Sequence, residues 1–428
     1  MLIKFTAENI LSFDAPVEFS LVEARKTSRH ANHVVNLDGL RVLRGAALYG
    51  ANAAGKTNLL KAIRILIGMF DSRRCFAVRL KRFRNGGQAR QDMVFEIVYT
   101  GVAQNQVFRY KLVTDGAKVK SEILESMTQG IELMHREGLA VRFHENADSW
   151  FVTQWDRSVR AERLCLPSLV DKGILDNAKS IKGAADFVEA IEGLGAIRVL
   201  FSYSEVTAMA FSRLFKLDDF KTFLLGLLKA ADVGITGVEW VRMPLARARF
   251  LFLDDPLDER LPNKDGLYFR SAGAAFYACE VKGGARRLFE LKFLHGDALM
   301  SGSEESEGTI RLLHLSVFLY KLKTEETAWF VDEIDCHLHP FLAKKILSWF
   351  LDEVKGRSQL VITTHDTNLM DSELWRTDEI WFAEKRENGS TDLYSMYQFT
   401  PRFDKNLAKG YLQGQYGAIP FLSRGIRI

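Results

Sequence analysis

Apolar residues in the first third of the chain recur mostly with a period of two. This alternation is typical of half-buried strands, whereas the run 56–70 has apolar residues every three or four positions and predicts a helix. An Asp-Gly pair at 115–116 is typical of a hairpin turn. The pattern predicts strands, most of them in an N-terminal antiparallel β lobe, at 2–8, 17–21, 45–49, 94–100, 106–114 and 118–124.

The pattern changes twice further along the chain. Residues 177–232 carry Ala, Leu, Phe and Lys at helical spacings, and β-type alternation returns over 235–294. In the last third, predicted helices and strands alternate, which favours a parallel sheet covered by helices. We therefore expect an α/β fold in which 1–150 and 301–428 build one core and 151–300 forms a helical and β insertion. The alternating elements are predicted helices at 309–323 and 341–354 and predicted strands at 328–332 and 359–363.

Composition narrows the class of protein. The 428 residues are 47% hydrophobic with a net charge of +4, which excludes a disordered chain, a collagen-like chain and a disulfide scaffold. The apolar runs are too short to span a bilayer, and Met1 is followed directly by a strand-like segment rather than a leader. Four widely separated cysteines are typical of free thiols. We therefore expect a cytoplasmic protein without a membrane partner.

Residues 50–57 read Gly-Ala-Asn-Ala-Ala-Gly-Lys-Thr and fit the phosphate-loop pattern GxxxxGK[ST] between a predicted strand and a predicted helix. Small residues let backbone N–H groups and the helix N-terminus face an anion. Lys56 is expected to reach the β- and γ-phosphates of ATP, and Thr57 to complete the shell of Mg²⁺. The predicted nucleotide-binding residues are Gly50, Ala51, Asn52, Ala53, Ala54, Gly55, Lys56, Thr57 and Asn58.

An apolar strand that ends in two carboxylates supplies the second half of such a site. After the strand 328–331, Asp332 is expected to hold Mg²⁺ and Glu333 to polarise the attacking water. The strand 359–363 leads to His365, at the strand end where parallel sheets bind ligands. Taken alone, this histidine is more often structural. The motifs before it favour a catalytic residue that senses or stabilises the γ-phosphate.

Ser306 and Gly308 precede an amphipathic run that begins at Thr309. A serine and a glycine at a helix N-terminus offer a hydroxyl and bare N–H groups to an anion. An ordinary capped helix start explains the same residues equally well, so both interpretations stay open on local grounds.

The order of these motifs resembles the ABC-type P-loop ATPase head, above all its soluble branch with the RecF, SMC and OLD proteins. The opening segment 5–13, FTAENILSF, is similar to the start of that branch. Segments 49–58, 363–385 and 409–422 more closely resemble prokaryotic AAA-family ATP-binding proteins of restriction, abortive-infection and anti-phage loci. The resemblance covers both ends of the chain, and the middle third is generic.

The resemblance implies a homodimer or higher homo-oligomer that closes around ATP. Ser306 and Gly308 of one protomer would face the phosphate loop of the other, and Asp335 would lie at the dimer contact. Two features depart from the family pattern. The signature reads Glu-Ser-Glu-Gly-Thr instead of Leu-Ser-Gly-Gly-Gln, and neither Gln88 nor Gln91 stands out as the glutamine of the loop after the first helix.

Three functions from different classes fit these features. The first is an ATPase switch that controls a separately encoded effector, a nuclease or toxin, in anti-phage defence. The second is a repair-type clamp that binds nucleic acid through residues 72–91, which hold seven Lys or Arg and no Asp or Glu. A solvated loop beside acidic neighbours explains that basic stretch as well. The third, a transporter ATPase subunit, is disfavoured by the opening strand.

Other motifs are set aside. Cys336, His337 and His339 cannot easily all meet one tetrahedral metal ion, and no second cluster supplies a fourth ligand. The spacing from Arg25 to His30 matches one ribonuclease class, but no helical bundle surrounds it. The 63 residues after His365 are too few for the separate nuclease domain of the OLD proteins. We therefore expect no nuclease site in this sequence.

Overall fold

The chain folds into an α/β structure, known here from a computed structural model. The basic stretch 72–91 is described only at 80–84, so its predicted role and the residues Gln88 and Gln91 lie outside the described residues. The described residues are 1–26, 29–70, 80–84, 92–102, 106–145, 160–166, 184–201, 208–245, 265–272, 274–399 and 406–420.

Strands dominate the first half of the chain, and helices alternate with strands in the last third. The described strands are β1 (Leu2–Glu8), β2 (Val17–Ser20), β3 (Val34–Leu37), β4 (Leu40–Leu43), β5 (Gly45–Tyr49), β6 (Met93–Thr100), β7 (Val107–Thr114), β8 (Val119–Ser126), β9 (Ile131–Glu137), β10 (Ala140–Phe143), β11 (Ile197–Leu200), β12 (Gly237–Met243), β13 (Gly266–Ala272), β14 (Ala275–Lys282), β15 (Ala285–His295), β16 (Ala298–Ser301), β17 (Ala328–Val331), β18 (Gln359–Thr363), β19 (Ile380–Lys385) and β20 (Thr391–Ser395). The described α-helices are α1 (Lys56–Met69), α2 (Ala185–Gly195), α3 (Ala208–Leu214), α4 (Asp218–Ala230), α5 (Glu307–Thr324), α6 (Pro340–Glu353) and α7 (Leu407–Leu412).

The N-terminal lobe is a seven-stranded sheet in the order β10-β9-β8-β7-β6-β1-β2, with every neighbouring pair antiparallel. Burial alternates residue by residue along β7, as expected for a sheet with one face on the core. The predicted antiparallel β lobe is confirmed. Gln359 joins this lobe to the central sheet, since its side chain accepts from the N–H of Leu2 at 2.6 Å and donates to the carbonyl oxygen of Leu2 at 2.8 Å.

The central sheet has six strands in the order β11-β17-β18-β5-β19-β20. The first five are mutually parallel, and β20 pairs antiparallel with β19. Every residue of β5 and β18 is buried, which explains why these strands read as unbroken apolar runs. The carboxyl ends of β5, β17 and β18 meet at one edge of the sheet, as the alternation of helix and strand predicts.

The prediction of a mostly helical stretch over 177–232 is wrong at 197–200. These residues form β11, which pairs in parallel with β17 from Ile197 opposite Ala328 to Leu200 opposite Val331. Four residues are too few to show a period of two, and the strand exists because β17 offers it an open edge. Residues 177–183 and 202–207 of the same stretch lie outside the described part of the chain.

The described chain divides into two compact units. The first contains the β lobe and the central sheet and comprises 1–200, 325–335 and 343–428; the second comprises 201–324 and 336–342. The second unit holds a sheet in the order β12-β15-β14-β13, with β16 paired to β15, and the helices α3, α4 and α5. The division of the chain at 150 and 300 stays a prediction. Among the described helices, none is both long and apolar enough to cross a membrane.

Candidate active site

The predicted phosphate loop connects β5 to α1. Gly50 and Gly55 have φ angles of +152° and +115°, which side-chain-bearing residues rarely adopt. A Cβ on Gly50 would lie 2.3 Å from the carbonyl oxygen of Ala383, and a Cβ on Gly55 would lie 2.2 Å from the hydroxyl oxygen of Thr391. Both glycines are therefore required for steric reasons, because the loop packs directly against β19 and β20.

The N-terminus of α1 offers donors to an anion. Gly55 is the N-cap residue, and no side chain caps the helix in the part of the chain that the structure describes. The first N–H groups of a helix have no partner within it, and the helix dipole adds partial positive charge there. The loop therefore ends in a site suited to phosphate.

Lys56 is buried at the start of α1, with 5% of its surface exposed. Its ammonium donates hydrogen bonds to the carbonyl oxygens of Gly50 at 2.8 Å and Ala51 at 3.0 Å. Burial lowers the pKa of Lys56 to about 8, against the opposing effect of the Asp332 carboxylate. A charge held by neutral carbonyl groups in a buried place gains strongly from an anionic partner.

Asp332 follows β17 and brings a carboxylate to the phosphate loop. Its Oδ1 lies 3.4 Å from the hydroxyl of Thr57 and also accepts a hydrogen bond from the hydroxyl of Thr363. Asp332 is buried, with 9% of its surface exposed. Hydroxyl and carboxylate oxygens are the ligands that Mg²⁺ prefers, so this pair fits the ion that the sequence predicts. The structure thus brings together two predicted residues from distant parts of the chain.

Glu333 is exposed and stands next to this pair in a strained backbone conformation. Its φ angle is +46°, which is uncommon for a residue other than glycine. Its N–H donates to the hydroxyl oxygen of Thr363 at 2.9 Å. Thr363 therefore orients both acidic residues, although sequence reasoning did not select it. The signal that could have found it is a hydroxyl residue at the end of the strand before His365.

His365 is exposed beyond the end of β18. Partial burial, and then the positive charge of Lys56, hold the pKa of His365 below its ordinary value of 6.5, while the carboxylates of Glu333, Asp335 and Asp332 oppose that shift. Without nucleotide this shift favours the neutral imidazole, which can both donate and accept a hydrogen bond.

Ser12 and Thr391 support the phosphate loop, and sequence reasoning missed both. The Thr391 hydroxyl lies 2.8 Å from the carbonyl oxygen of Ala54 and 2.8 Å from the hydroxyl of Ser12. The amide of Asn58 donates to the Ser12 hydroxyl at 2.8 Å. The predicted residue Asn58 thus contacts the N-terminal lobe rather than pointing away from the protein. A serine in the opening segment was the only sequence signal for this contact.

Asp335 has one unusual atom. Its Oδ1 is buried and has no hydrogen-bond partner among the described residues. Buried acceptors in folded proteins are normally paired, and the placement of Asp335 at a dimer contact stays a prediction.

Ser306 and Gly308 lie in the second unit, at the start of α5. The hydroxyl of Ser306 accepts a hydrogen bond from the N–H of Thr309 at 3.1 Å, as an N-cap residue does. A Cβ on Gly308 would lie 3.1 Å from the carbonyl oxygen of His337, whose ring pairs with Glu307 at 3.0 Å. The helix-cap role of Ser306 is therefore observed, and its predicted contact with nucleotide stays a prediction.

The chain matches a family model and a set of solved structures. A family model described as "AAA domain, putative AbiEii toxin, Type IV TA system" matches residues 46–371. No curated protein sequence matches the chain. The solved structures that match include three heads of SMC proteins, which are similar over most of both chains.

The first of these is an SMC head bound to the C-winged helix domain of ScpA, with 15% identity, 92% of this chain and 97% of that chain covered, and a TM-score of 0.44. The second is the SMC head domain from Thermotoga maritima, with 14% identity, 92% and 98% covered, and a TM-score of 0.41. The third is an Smc head with an extended coiled coil bound to the C-terminal domain of ScpA, derived from Pyrococcus furiosus, with 14% identity, 92% and 96% covered, and a TM-score of 0.42.

The family match spans most of the chain and starts inside β5, the strand that leads into the phosphate loop. The predicted α/β fold with an N-terminal antiparallel β lobe is confirmed, and the match to an AAA domain agrees with the predicted AAA-family ATPase. The chain belongs to the AAA-domain family whose description names the AbiEii toxin and type IV toxin–antitoxin systems.

Proposed function

We propose that this protein binds and hydrolyses ATP with Mg²⁺, dimerises around the nucleotide, and controls a separately encoded nuclease or toxin in anti-phage defence. One observation carries the proposal of hydrolysis: the Asp332 carboxylate approaches the Thr57 hydroxyl to 3.4 Å at the mouth of the phosphate loop. The description of the family, with its toxin–antitoxin systems, supports the defensive role.

Each residue of the site has a distinct task in this proposal. The N–H groups of the loop and of α1 bind the phosphates, and Lys56 exchanges the carbonyl oxygens of Gly50 and Ala51 for phosphate oxygens. Thr57 and Asp332 would hold Mg²⁺, which when bound neutralises charge on the β- and γ-phosphates. Glu333 orients and deprotonates the attacking water, and His365 donates a hydrogen bond to the γ-phosphate.

Hydrolysis is tested by two pairs of variants. Lys56→Ala should abolish ATP binding, whereas Lys61→Ala, on the exposed side of the same helix, should not change it. Glu333→Gln should bind ATP normally and release phosphate at least about 100-fold more slowly, in the range that removal of a general base produces. Glu353→Gln, an exposed residue of α6, is the control for that charge change. Wild-type turnover by the Glu333→Gln protein would refute the assigned base.

The proposed dimer places Ser306 and Gly308 opposite the partner's phosphate loop. Ser306→Asp keeps a good N-cap residue while placing a negative charge where the phosphate would lie. We expect this variant to bind ATP but neither to dimerise nor to hydrolyse it. A mixture with Lys56→Ala protein should regain part of the wild-type activity, because a mixed dimer has one intact site. A mixture that stays inactive would contradict the shared site.

The effector is sought with the Glu333→Gln protein, which should remain in the ATP-bound state. It is purified from cells that also carry the neighbouring genes, once in ATP with Mg²⁺ and once in ADP. A neighbour-encoded protein that co-purifies in only one nucleotide state would support the switch and identify its effector. Full protection against phage by the Lys56→Ala protein would refute control by ATP.

The alternative is a repair-type clamp, favoured by the basic stretch 72–91 and by the motif order of the RecF and SMC proteins. Nucleic acid should then stimulate ATP turnover, and its binding should weaken steeply with added salt. If neither effect is observed, the clamp is refuted and the switch remains.

A further inference from the structure

Among the described residues, the helices α3 and α4 pack on part of one face of the sheet of the second unit. At the covered part, the ring of Phe211 on α3 packs against Phe276 on β14 at 5.3 Å and against Phe220 on α4 at 5.6 Å. α3 ends at Leu214, and the chain turns before α4 begins at Asp218. Beyond this turn, the described residues on the same face of the sheet line an open cavity of about 370 Å³. That volume lies within the range of small-molecule sites.

Aromatic rings form the walls of this cavity. Trp240 on β12 lies 6.3 Å from Phe215 in a perpendicular arrangement and 6.1 Å from Phe269 on β13. Phe289 on β15 completes the lining between the two edge strands. All four belong to different elements, so the sheet and the helix turn bring them together. Such walls suit a planar ligand, because aromatic rings gain from offset-stacked and edge-to-face contacts.

The charged side chains at the rim of the cavity favour a negatively charged ligand. Lys216 and Lys221 line the side nearest the helix turn. Lys221 lies 5.8 Å from the centre of the Phe215 ring and pairs with Asp218 at 2.9 Å, whereas no acidic group within 4.0 Å of Lys216 is found among the described residues. Aromatic walls alone would also suit a cation, but two lysines repel one. On the far side, Glu280 is compensated by Arg287 at 3.5 Å.

We infer that this cavity binds a nucleobase carrying a phosphate, with the base on the aromatic walls and the phosphate at Lys216 and Lys221. Stacking on aromatic side chains beside a basic rim is how single-stranded nucleic acids are held without sequence preference. The same chemistry is offered by a free nucleotide, so the test must separate these two sources. The inference concerns the second unit alone and does not depend on ATP hydrolysis at Lys56.

The test uses the full chain and two probes, a fluorescein-labelled oligothymidylate of about 12 nucleotides and deoxythymidine monophosphate. Fluorescence anisotropy gives the affinity for the first probe, and competition gives the affinity for the second. Every measurement is repeated in the Lys56→Ala protein, which should bind the probes as wild type does if the phosphate loop is not involved. Tight binding of the oligomer with weak binding of the monophosphate identifies single-stranded nucleic acid, and equal affinities identify a free nucleotide.

Substitutions at the cavity decide whether it is the site. Trp240→Leu should weaken binding about tenfold, and Trp240→Tyr should retain it, because tyrosine also stacks. Lys216→Ala/Lys221→Ala, at surface positions that do not threaten folding, should weaken binding and lower the slope of log Kd on log salt by about 0.7 per lysine. Lys229→Ala/Lys282→Ala, at exposed positions outside the cavity, is the charge-matched control.

Four results would overturn the inference. The first is no binding of either probe, and the second is equal weakening by the cavity pair and the control pair. The third is loss of binding in an Arg73→Ala/Arg74→Ala protein while the cavity variants bind as wild type does, which would assign the nucleic-acid contact to the stretch 72–91. Displacement of the probe by oleate but not by deoxythymidine monophosphate would show that the cavity takes an aliphatic anion instead, and would also refute the inference.

Discussion

The hydroxyl of Thr391 holds the phosphate loop through the carbonyl oxygen of Ala54, at 2.8 Å. Thr391 lies at the start of β20, far from the loop in sequence, and its side chain fills the space that a Cβ on Gly55 would occupy. The Thr391 hydroxyl has one proton, which it donates to the carbonyl oxygen of Ala54. In its second contact, at 2.8 Å, it therefore accepts a hydrogen bond from the Ser12 hydroxyl. The loop is thus fixed in shape before nucleotide arrives.

Thr391→Val should weaken ATP binding by about five- to tenfold, because each neutral hydrogen bond contributes about 1 kcal/mol and a buried carbonyl loses its partner. The shape of the side chain is kept, so the rest of the sheet should not change. Isothermal titration calorimetry measures the effect. Gly55→Ala should abolish binding altogether, since its Cβ would lie 2.2 Å from the Thr391 hydroxyl. Wild-type affinity in the valine variant would show that the loop does not need this support.

ATP affinity should depend on pH through Lys56. The pKa of Lys56 is lowered to about 8 by burial, and a bound phosphate raises it again, because the anion favours the charged form. Below pH 8 the Lys56 side chain is already protonated, so its titration should not change the affinity for ATP. Above pH 8 binding must take up a proton, so affinity should fall by up to about tenfold per pH unit. Calorimetry at pH near 9 in two buffers of different ionisation enthalpy should detect that proton, and Lys56→Arg should abolish the uptake.

Thr363→Val tests whether one hydroxyl positions both acidic residues. Without its bonds to the Asp332 carboxylate and the Glu333 N–H, we expect kcat to fall about 10- to 100-fold while the Kd for ATP changes little. Thr327→Val is the matched control, because Thr327 is also buried but lies at the other end of β17. Equal effects of both changes on phosphate release would indicate general loss of stability rather than positioning.

The sequence alone selected Lys56, Thr57, Asp332 and Glu333 as candidate residues because each motif is a short local pattern that ends a strand or begins a helix. It did not locate Ser12 or Thr391, whose hydroxyl groups meet across 379 residues of chain. Such contacts depend on which strands become neighbours. A threonine at a strand start has no distinguishing pattern until the sheet order is known.

The C-terminal segment shows the same limit in another way. The sequence predicts a resemblance to family members over 409–422, but the role of the described part, 409–420, follows only from packing. The ring of Tyr411 stacks on Phe382 of β19 at 5.4 Å, and its hydroxyl donates to the carbonyl oxygen of Ala418 at 3.0 Å. A Cβ on Gly417 would lie 2.5 Å from the Tyr394 hydroxyl, which explains the glycine. The segment therefore braces the strand beside the phosphate loop.

Arg376 should be required for stability and not for nucleotide binding. It is 2% exposed and pairs with Glu23 and Asp378, both at 2.9 Å. Arg376→Met leaves the buried Asp378 carboxylate without its cation and leaves Glu23 paired with Arg41 alone, so the free energy of unfolding should fall by about 3–5 kcal/mol. Arg386→Met breaks an exposed pair with Asp392 and should cost less than about 1 kcal/mol. Urea unfolding measures both, and ATP affinity of the folded Arg376→Met protein should match wild type.

Glu333 should be a residue at which stability is sacrificed for catalysis. Its φ of +46° strains any residue with a Cβ, whereas glycine adopts such angles freely. Glu333→Gly should therefore raise the unfolding free energy by about 0.5–1 kcal/mol, after allowance for the greater freedom of glycine in the unfolded chain. Glu333→Gln keeps the strain and should leave stability unchanged, yet both variants should lose hydrolysis. Urea unfolding is measured without added nucleotide. Phosphate release is measured with ATP on the same preparations. If the glycine variant is less stable than the glutamine variant, the backbone at position 333 is not strained. The positive φ would then not be a cost of placing the carboxylate.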